Sequence, residues 1–244
     1  MISSIKSYSA LLLDLIFPRY CAVCDAVLAE SETHLCIKCF MELPRTGLHK
    51  VEENNLEKMY WGRMPIVRAS AFMYYKEGFK NAIHNLKYRK NHAIGKYFGR
   101  LMAEEISQSS DFFAGIDAIV PIPLHSYRLW KRGYNQSEYI AKGVQEVTQI
   151  PVLTDVVIRH RNNQSQTRMT HSERRKNVED IFRCTHPELL KGKHILLLDD
   201  VITSNATTLS CAESIMQAVG TPLPYSGDTT SIRFSILSLA FAGR

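Results

Sequence analysis

The stretch ILLLDDVITSNATT, residues 195–208, constrains the chain more than any other. Four apolar residues, Ile195 to Leu198, run without a break into Asp199 and Asp200. A short continuous apolar run bounded by polar residues suits a strand buried on both faces, as in a parallel sheet. Val201 and Ile202 follow, and then the small hydroxyl and amide residues Thr203, Ser204, Asn205, Ala206, Thr207 and Thr208. From Ala206 to Val219 the content favours a helix, and Gly220 is a natural C-terminal cap for it. The unit therefore reads as strand, acidic pair, small-residue loop, helix. In an open α/β sheet, ligands bind just past the carboxyl ends of the strands.

Each residue type there has a chemical use. A loop of small residues opening a helix offers free backbone N–H groups and the positive end of the helix dipole, to which Thr and Ser hydroxyls add further donors; together they hold a phosphate. Two adjacent carboxylates accept hydrogen bonds from sugar hydroxyls or sit beside a hydrated Mg²⁺. The competing reading is a core strand with two solvated acids at its end.

This unit resembles the phosphoribosyl pyrophosphate (PRPP) motif of type I phosphoribosyltransferases. The resemblance implies that Asp199 and Asp200 occupy the acid positions and that Thr203, Ser204, Asn205, Ala206 and Thr207 form the 5′-phosphate loop. Asn205 stands where that family usually has Gly, and Ser204 where Thr is frequent. Asn tolerates the left-handed backbone better than most non-Gly residues, so the loop can still close.

Cys21-Ala-Val-Cys24 and Cys36-Ile-Lys-Cys39 form two CxxC pairs with eleven residues between them. Each pair can wrap two thiolates around one ion, and two pairs complete a tetrahedral S₄ shell. With no open position, that shell predicts a structural zinc. The intervening segment is short and polar, and a metal would explain how so small a lobe folds. His34 could substitute for one ligand, but four cysteines already fill the shell; two chance pairs or a redox dithiol are the competing readings. Of the six cysteines only Cys184 and Cys211 stand apart, which fits a reducing compartment and a cytoplasmic protein rather than a disulfide scaffold.

The 244 residues leave room for one medium domain and a small accessory one. At 45% hydrophobic and 22% charged the composition is that of an ordinary globular protein, and the net charge of +6 suits a polyanionic ligand, either a phosphorylated metabolite or nucleic acid. Residues 1–18 space Ile2, Ile5, Leu12, Leu13 and Ile16 as an amphipathic helix, and Asp14 interrupts the apolar run, so neither a signal peptide nor a membrane span is expected. After Cys39, Pro44, Gly47 and the polar VEENNLEK predict a linker or loop-rich region, with a domain boundary near residues 54–65. The division expected is 1–55 for the N-terminal helix and zinc module and 56–244 for the main domain.

From Ile66 the pattern becomes strand-like; helices are predicted over Phe79–Leu86 and Ala93–Ile106. The basic run Lys87, Tyr88, Arg89, Lys90 between them reads as a solvated face that could approach pyrophosphate. IDAIVPIPL (116–124) predicts a buried strand stopped by Pro121 and Pro123. Arg128, Lys131 and Arg132 follow in what reads as a cationic loop, with Gly133 as a turn and Asn135, Gln136 and Ser137 capping a helix over Glu138–Glu146. A cationic loop at a helix start is a second anion site. Val152–Arg159 reads as a strand, and the polar, basic segment after it as a long loop, either a lid or a nucleic-acid arm; it lacks interleaved aromatics for base stacking.

The string PIPLHSYRLWKRGYNQSE, the segment from Arg159 and Arg161 through QTRMTHSERRKNVEDIF, and the LLLDDVITSNAT unit together resemble the ComF family, in which a four-Cys zinc module precedes a phosphoribosyltransferase-like domain. The likeness spans Cys21 to Ala240. Arg128, Arg132, Gly133, Asn135 and Gln136 match its RGxNQ segment; Arg159, Arg161, Gln166, Glu173, Arg174 and Asn177 match its loop motif. The resemblance implies a parallel sheet flanked by helices with a zinc-ribbon-like lobe, PRPP and Mg²⁺ as ligands, and a role in competence and DNA uptake. Single-stranded DNA and DNA-processing proteins are the implied partners. It leaves open whether phosphoribosyl transfer occurs.

Overall fold

The computed structural model describes residues 18–88, 92–160, 181–222 and 232–243. Four parallel strands form the central sheet in the order β1 (Ile66–Tyr74), β6 (Arg233–Phe241), β5 (His194–Ile202), β2 (Ala118–Pro121). Val152 adds a parallel bridge to Ile119 beyond β2. A separate antiparallel ribbon pairs β3 (Val157–Arg159) with β4 (Phe182–Cys184). The helices are α1 (Ile37–Met41), α2 (Asn55–Lys58), α3 (Lys80–Tyr88), α4 (His92–Ser109), α5 (Ser126–Arg132), α6 (Gln136–Thr148) and α7 (Ala206–Val219). The expected α/β class is what the chain adopts.

The unbroken apolar run of β5 has the expected cause: both faces of the strand are covered. Leu196 and Leu198 enter a core shared with α3, α4 and α6, while Ile195 and Leu197 enter the core on the other side, with α7 and α2. The first of these cores also takes in Cys21, Ala22, Val23, Leu28 and Leu35 of the zinc module. Helices α4 and α6 cross in backbone contact. A Cβ on Gly99 would lie 2.1 Å from the Ile140 carbonyl oxygen, and one on Gly143 2.2 Å from that of Lys96, so glycine is required at both crossings.

Four expectations need correction. Strand β5 does not stop at the acids: Asp199, Val201 and Ile202 stay in register with Ser238, Ala240 and Phe241 of β6. The acids are accessible for another reason. Strand β2 ends where Pro121 pairs with Leu198, so the opposite edge of β5 is uncovered from Asp199 onward.

The region read as a linker or loop-rich segment ends, at the boundary expected near 54–65, in packed structure. Asn54 is buried, caps α2 through Leu56 N and Glu57 N, and donates to the carbonyls of Leu48, Val51 and Ala69, while Leu56, Tyr60 and Met64 are core residues. Polar composition concealed a buried cap. Of the strand expected over 152–159, only Val157–Arg159 pairs with another strand, Val152 keeping a lone bridge, because the chain turns at Thr154 and Asp155. The cationic segment 126–132 is helix α5, begun by His125, whose side chain accepts from Tyr127 N, and closed by Gly133 at φ 81°. The amphipathic helix at residues 1–17, Arg89 and Lys90, and the polar loop at 161–180 lie outside the described residues.

Candidate active site and metal centre

Asp199 and Asp200 sit at the open edge of β5 and line a cleft of about 270 Å³. Facing them are Lys87 from the last turn of α3, Arg128 and Arg132 from α5, and Arg159 from the end of β3. Tyr75, Thr203 and Thr207 complete the polar wall. Four cations and two carboxylates thus converge from four elements, α3, α5, β3 and β5.

The two acids are held differently. One oxygen of Asp199 accepts from Ser137 Oγ at 3.2 Å and from the Asp200 N–H at 2.8 Å. Burial and the neighbouring Asp200 charge push its carboxyl up to about 7, against those two hydrogen bonds and Lys87. Asp200 pairs with Lys87 Nζ at 3.1 Å. Arg159 lies with its guanidinium over the Phe182 ring, 5.3 Å from its centroid. Its Nε is buried with no hydrogen-bond partner among the described residues, and burial together with nearby Arg128 lowers its pKa. A half-buried guanidinium that faces a second cation is relieved by an anion.

Sequence reasoning named most of these positions, and the structure divides them. Asp199, Asp200, Arg128, Arg132, Thr203 and Thr207 line the cleft. Asn135 and Gln136 do not: Asn135 caps α6 and donates to the Ile122 carbonyl at 3.0 Å, while buried Gln136 accepts from Arg132 Nη1 at 2.8 Å and so aims that arginine. Ser204, Asn205 and Ala206 are absent from the wall. Asn205 is right-handed, at φ −74°, so its tolerance of the left-handed backbone is not drawn on. Its side chain turns away and donates to the Met59 carbonyl at 2.6 Å.

Lys87, Ser137, Tyr75 and Tyr60 carry more than the sequence suggested. Lys87 had a basic run as its signal, whereas Tyr60 had none: its hydroxyl reaches Thr208 Oγ1 at 2.7 Å, and Thr208 in turn donates to the Asn205 carbonyl.

The cysteine cluster lies in the N-terminal module. The Sγ atoms of Cys21, Cys24, Cys36 and Cys39 are all within 4.8 Å of one another, and all four thiols are free. A tetrahedral site with Zn–S bonds of about 2.3 Å requires sulfurs about 3.8 Å apart. The Cys24–Cys36 separation is 3.7 Å. The Cys36 N–H points at Cys21 Sγ (3.4 Å) and the Cys39 N–H at Cys36 Sγ (3.5 Å), the outer-shell donors that steady thiolates on a metal. His34 is outside the cluster and packs on Tyr97. The residues fit a structural zinc. No helix among the described residues is long and apolar enough to cross a membrane.

Comparison with known proteins bears directly on the N-terminal module. Residues 12–49 match the double zinc ribbon domain. The DNA utilization protein YhgH of Escherichia coli (strain K12) is 27% identical over 200 residues, which cover 81% of this chain and 84% of that protein. Competence protein F of Haemophilus influenzae is 26% identical over 194 residues, 78% of this chain and 75% of that protein. Among solved structures, the allosteric regulatory enzyme of purine biosynthesis matches 59% of this chain and 25% of its own length, at 18% identity and a TM-score of 0.37, a loose likeness from which nothing about activity follows. The chain is a homologue of the YhgH and competence F proteins, and its N-terminal residues match a double zinc ribbon, in agreement with the ComF resemblance of its motifs.

Proposed function

We propose that this chain binds PRPP in the cleft at the open edge of β5 and serves DNA utilization or competence in the cytoplasm, with phosphoribosyl transfer as its reaction. The observation that supports this reading is the convergence of Lys87, Arg128, Arg132 and Arg159 on the Asp199–Asp200 pair beside Thr203 and Thr207. A ligand with phosphates at both ends and a hydroxyl-bearing sugar between them matches cations, carboxylates and hydroxyls in one cleft. The context comes from the names of the relatives, DNA utilization protein and competence protein.

In this reading the loop of Thr203, Ser204, Asn205, Ala206 and Thr207 holds the 5′-phosphate through backbone N–H groups and the Thr203 and Thr207 hydroxyls. Asp199 and Asp200 accept from the ribose hydroxyls. Arg128, Arg132 and Arg159 hold the pyrophosphate. The bond from C1 to the pyrophosphate oxygen breaks, the electron pair leaves with pyrophosphate, and an acceptor nucleophile bonds to C1 through an oxocarbenium-like state. Asp199 and Asp200 offer the hard oxygen donors that suit hydrated Mg²⁺, which would supply charge neutralisation for the leaving pyrophosphate. The zinc module (1–55) has a structural part and the remainder (56–244) the binding part.

A second reading, binding without turnover, is favoured by the Lys87–Asp200 ion pair, which engages one of the carboxylates the ribose would use. Release of pyrophosphate from PRPP and Mg²⁺ in the presence of candidate acceptors separates the two. Release above background, lost in Asp199→Asn/Asp200→Asn, supports transfer. Saturable PRPP binding with no release supports the second reading.

A further inference from the structure

Three consecutive residues at the start of α6 reach three walls of the cleft without lining it. Asn135 caps the helix through Ser137 N and donates to the carbonyl of Ile122, which lines the cleft with Pro123 and Leu124. Gln136 (1% exposed) and Ser137 (3% exposed) are buried, so neither side chain meets a ligand. Polar side chains at a helix start ordinarily satisfy the free N–H groups of their own helix. These two bond elsewhere. Consecutive helical residues point about 100° apart, so one step along α6 redirects the side chain to a different wall.

Gln136 Oε1 accepts from Arg132 Nη1 at 2.8 Å, across the break at Gly133 that separates α5 from α6. The same guanidinium lies 5.6 Å from the centroid of the Tyr88 ring on α3. A long, flexible cation is thereby held from two sides, by a carboxamide and by a ring, and loses less freedom when a phosphate arrives. Ser137 Oγ donates to Asp199 Oδ1 at 3.2 Å, and the Asp200 N–H donates to that same oxygen at 2.8 Å. With both donors on Oδ1, Oδ2 is the oxygen left for a ligand. A carboxylate fixed in this way accepts along one direction instead of swivelling.

We infer that Gln136 and Ser137 are positioning residues with separate duties: Ser137 sets the acid that meets the sugar, and Gln136 sets the cation that meets the pyrophosphate. The inference rests on the PRPP reading above and not on its DNA-utilization part. It divides the start of α6 between the two halves of the ligand, each served by a residue that touches neither.

Two fragments of the ligand separate these duties. Ribose 5-phosphate carries the hydroxyls and the 5′-phosphate; inorganic pyrophosphate, titrated with ribose 5-phosphate already bound, reports on the arginines. Both are followed by calorimetry on the full-length, zinc-loaded protein. Ser137→Ala should weaken ribose 5-phosphate binding about tenfold and leave pyrophosphate binding unchanged, and Gln136→Met should do the reverse. Both variants are expected to fold, because Asp199 keeps the Asp200 N–H as a donor and half-buried Arg132 can turn to water. Each variant's retained affinity for the other fragment shows that it has. Equal weakening of both fragments by either variant would make the two residues merely structural and overturn the inference, as would unchanged affinities throughout. A parent protein that binds neither fragment would overturn the PRPP reading and the inference with it.

Discussion

Asn85, on α3, donates its Nδ2 to the Ala22 carbonyl at 2.8 Å, so the helix that carries Lys87 is fastened to the loop that carries Cys21 and Cys24. Asn81, one turn earlier, makes the same kind of bond to the Val23 carbonyl at 3.2 Å. The carbonyls of the first zinc knuckle are thereby satisfied by the helix whose last turn ends in the ion pair with Asp200. The cysteine loop, α3 and the cleft are thus joined by direct contacts.

Asn85→Ala leaves the buried Ala22 carbonyl without its donor and should cost about 1–3 kcal/mol of stability. The thermal midpoint of the zinc-loaded protein measures it. Zinc removal by a strong chelator should do more, because Ala22, Val23, Leu28 and Leu35 belong to the core shared with α3 and α4. The expected result is a lower melting temperature together with weaker PRPP binding, although no cysteine lies in the cleft.

Helix crossing gives a second expectation. Gly143→Ala would press a methyl group against the Lys96 carbonyl and the Arg100 backbone N–H, neither of which can rotate away. Overpacking of this kind costs about 1–3 kcal/mol or more, so chemical denaturation should show a midpoint well below that of the parent. Gly78→Ala, whose added Cβ would meet nothing within 4 Å, serves as the control.

Tyr60→Phe removes the hydroxyl that meets Thr208 Oγ1. The loss should be about 1 kcal/mol in stability. Because Thr208 donates to the Asn205 carbonyl at the start of α7, PRPP affinity should also fall a few-fold, measured by the same titration as for the parent.

The Asp199 carboxyl gives a pH dependence whose sign is fixed. Its ordinary value is about 3.9. In the fold it is raised to about 7 by burial and by Asp200. Between these values the folded chain binds more protons than the unfolded one, so this group's contribution to stability falls as pH rises from about 4 to about 7. Asp199→Asn abolishes that slope. Melting temperatures at acidic and neutral pH should therefore diverge, the variant gaining on the parent as pH rises.

How much of this was legible in the sequence depended on whether a residue's role was local. Strand β5 and helix α7 announce themselves, because a strand covered on both faces must be apolar throughout and Gly220 supplies the left-handed cap, at φ 85°. The two CxxC pairs were equally plain, since four thiolates on one ion need little else. Helix α5 was hidden because it buries nothing and so shows no apolar stripe to separate it from a basic loop. Lys87 looked like surface charge until the fold brought it to Asp200. Asn54 looked like loop because a buried polar cap has the same composition as a linker. Tyr60 acts on a residue 148 positions away, and no spacing rule reaches that far.

Calorimetric titration of the zinc-loaded protein with PRPP and Mg²⁺, beside Asp199→Asn/Asp200→Asn, tests the central claim most directly. The account predicts saturable binding to the parent that is lost in the double variant while its fold is retained. Absence of binding at millimolar ligand, or equal binding by the two proteins, would contradict it.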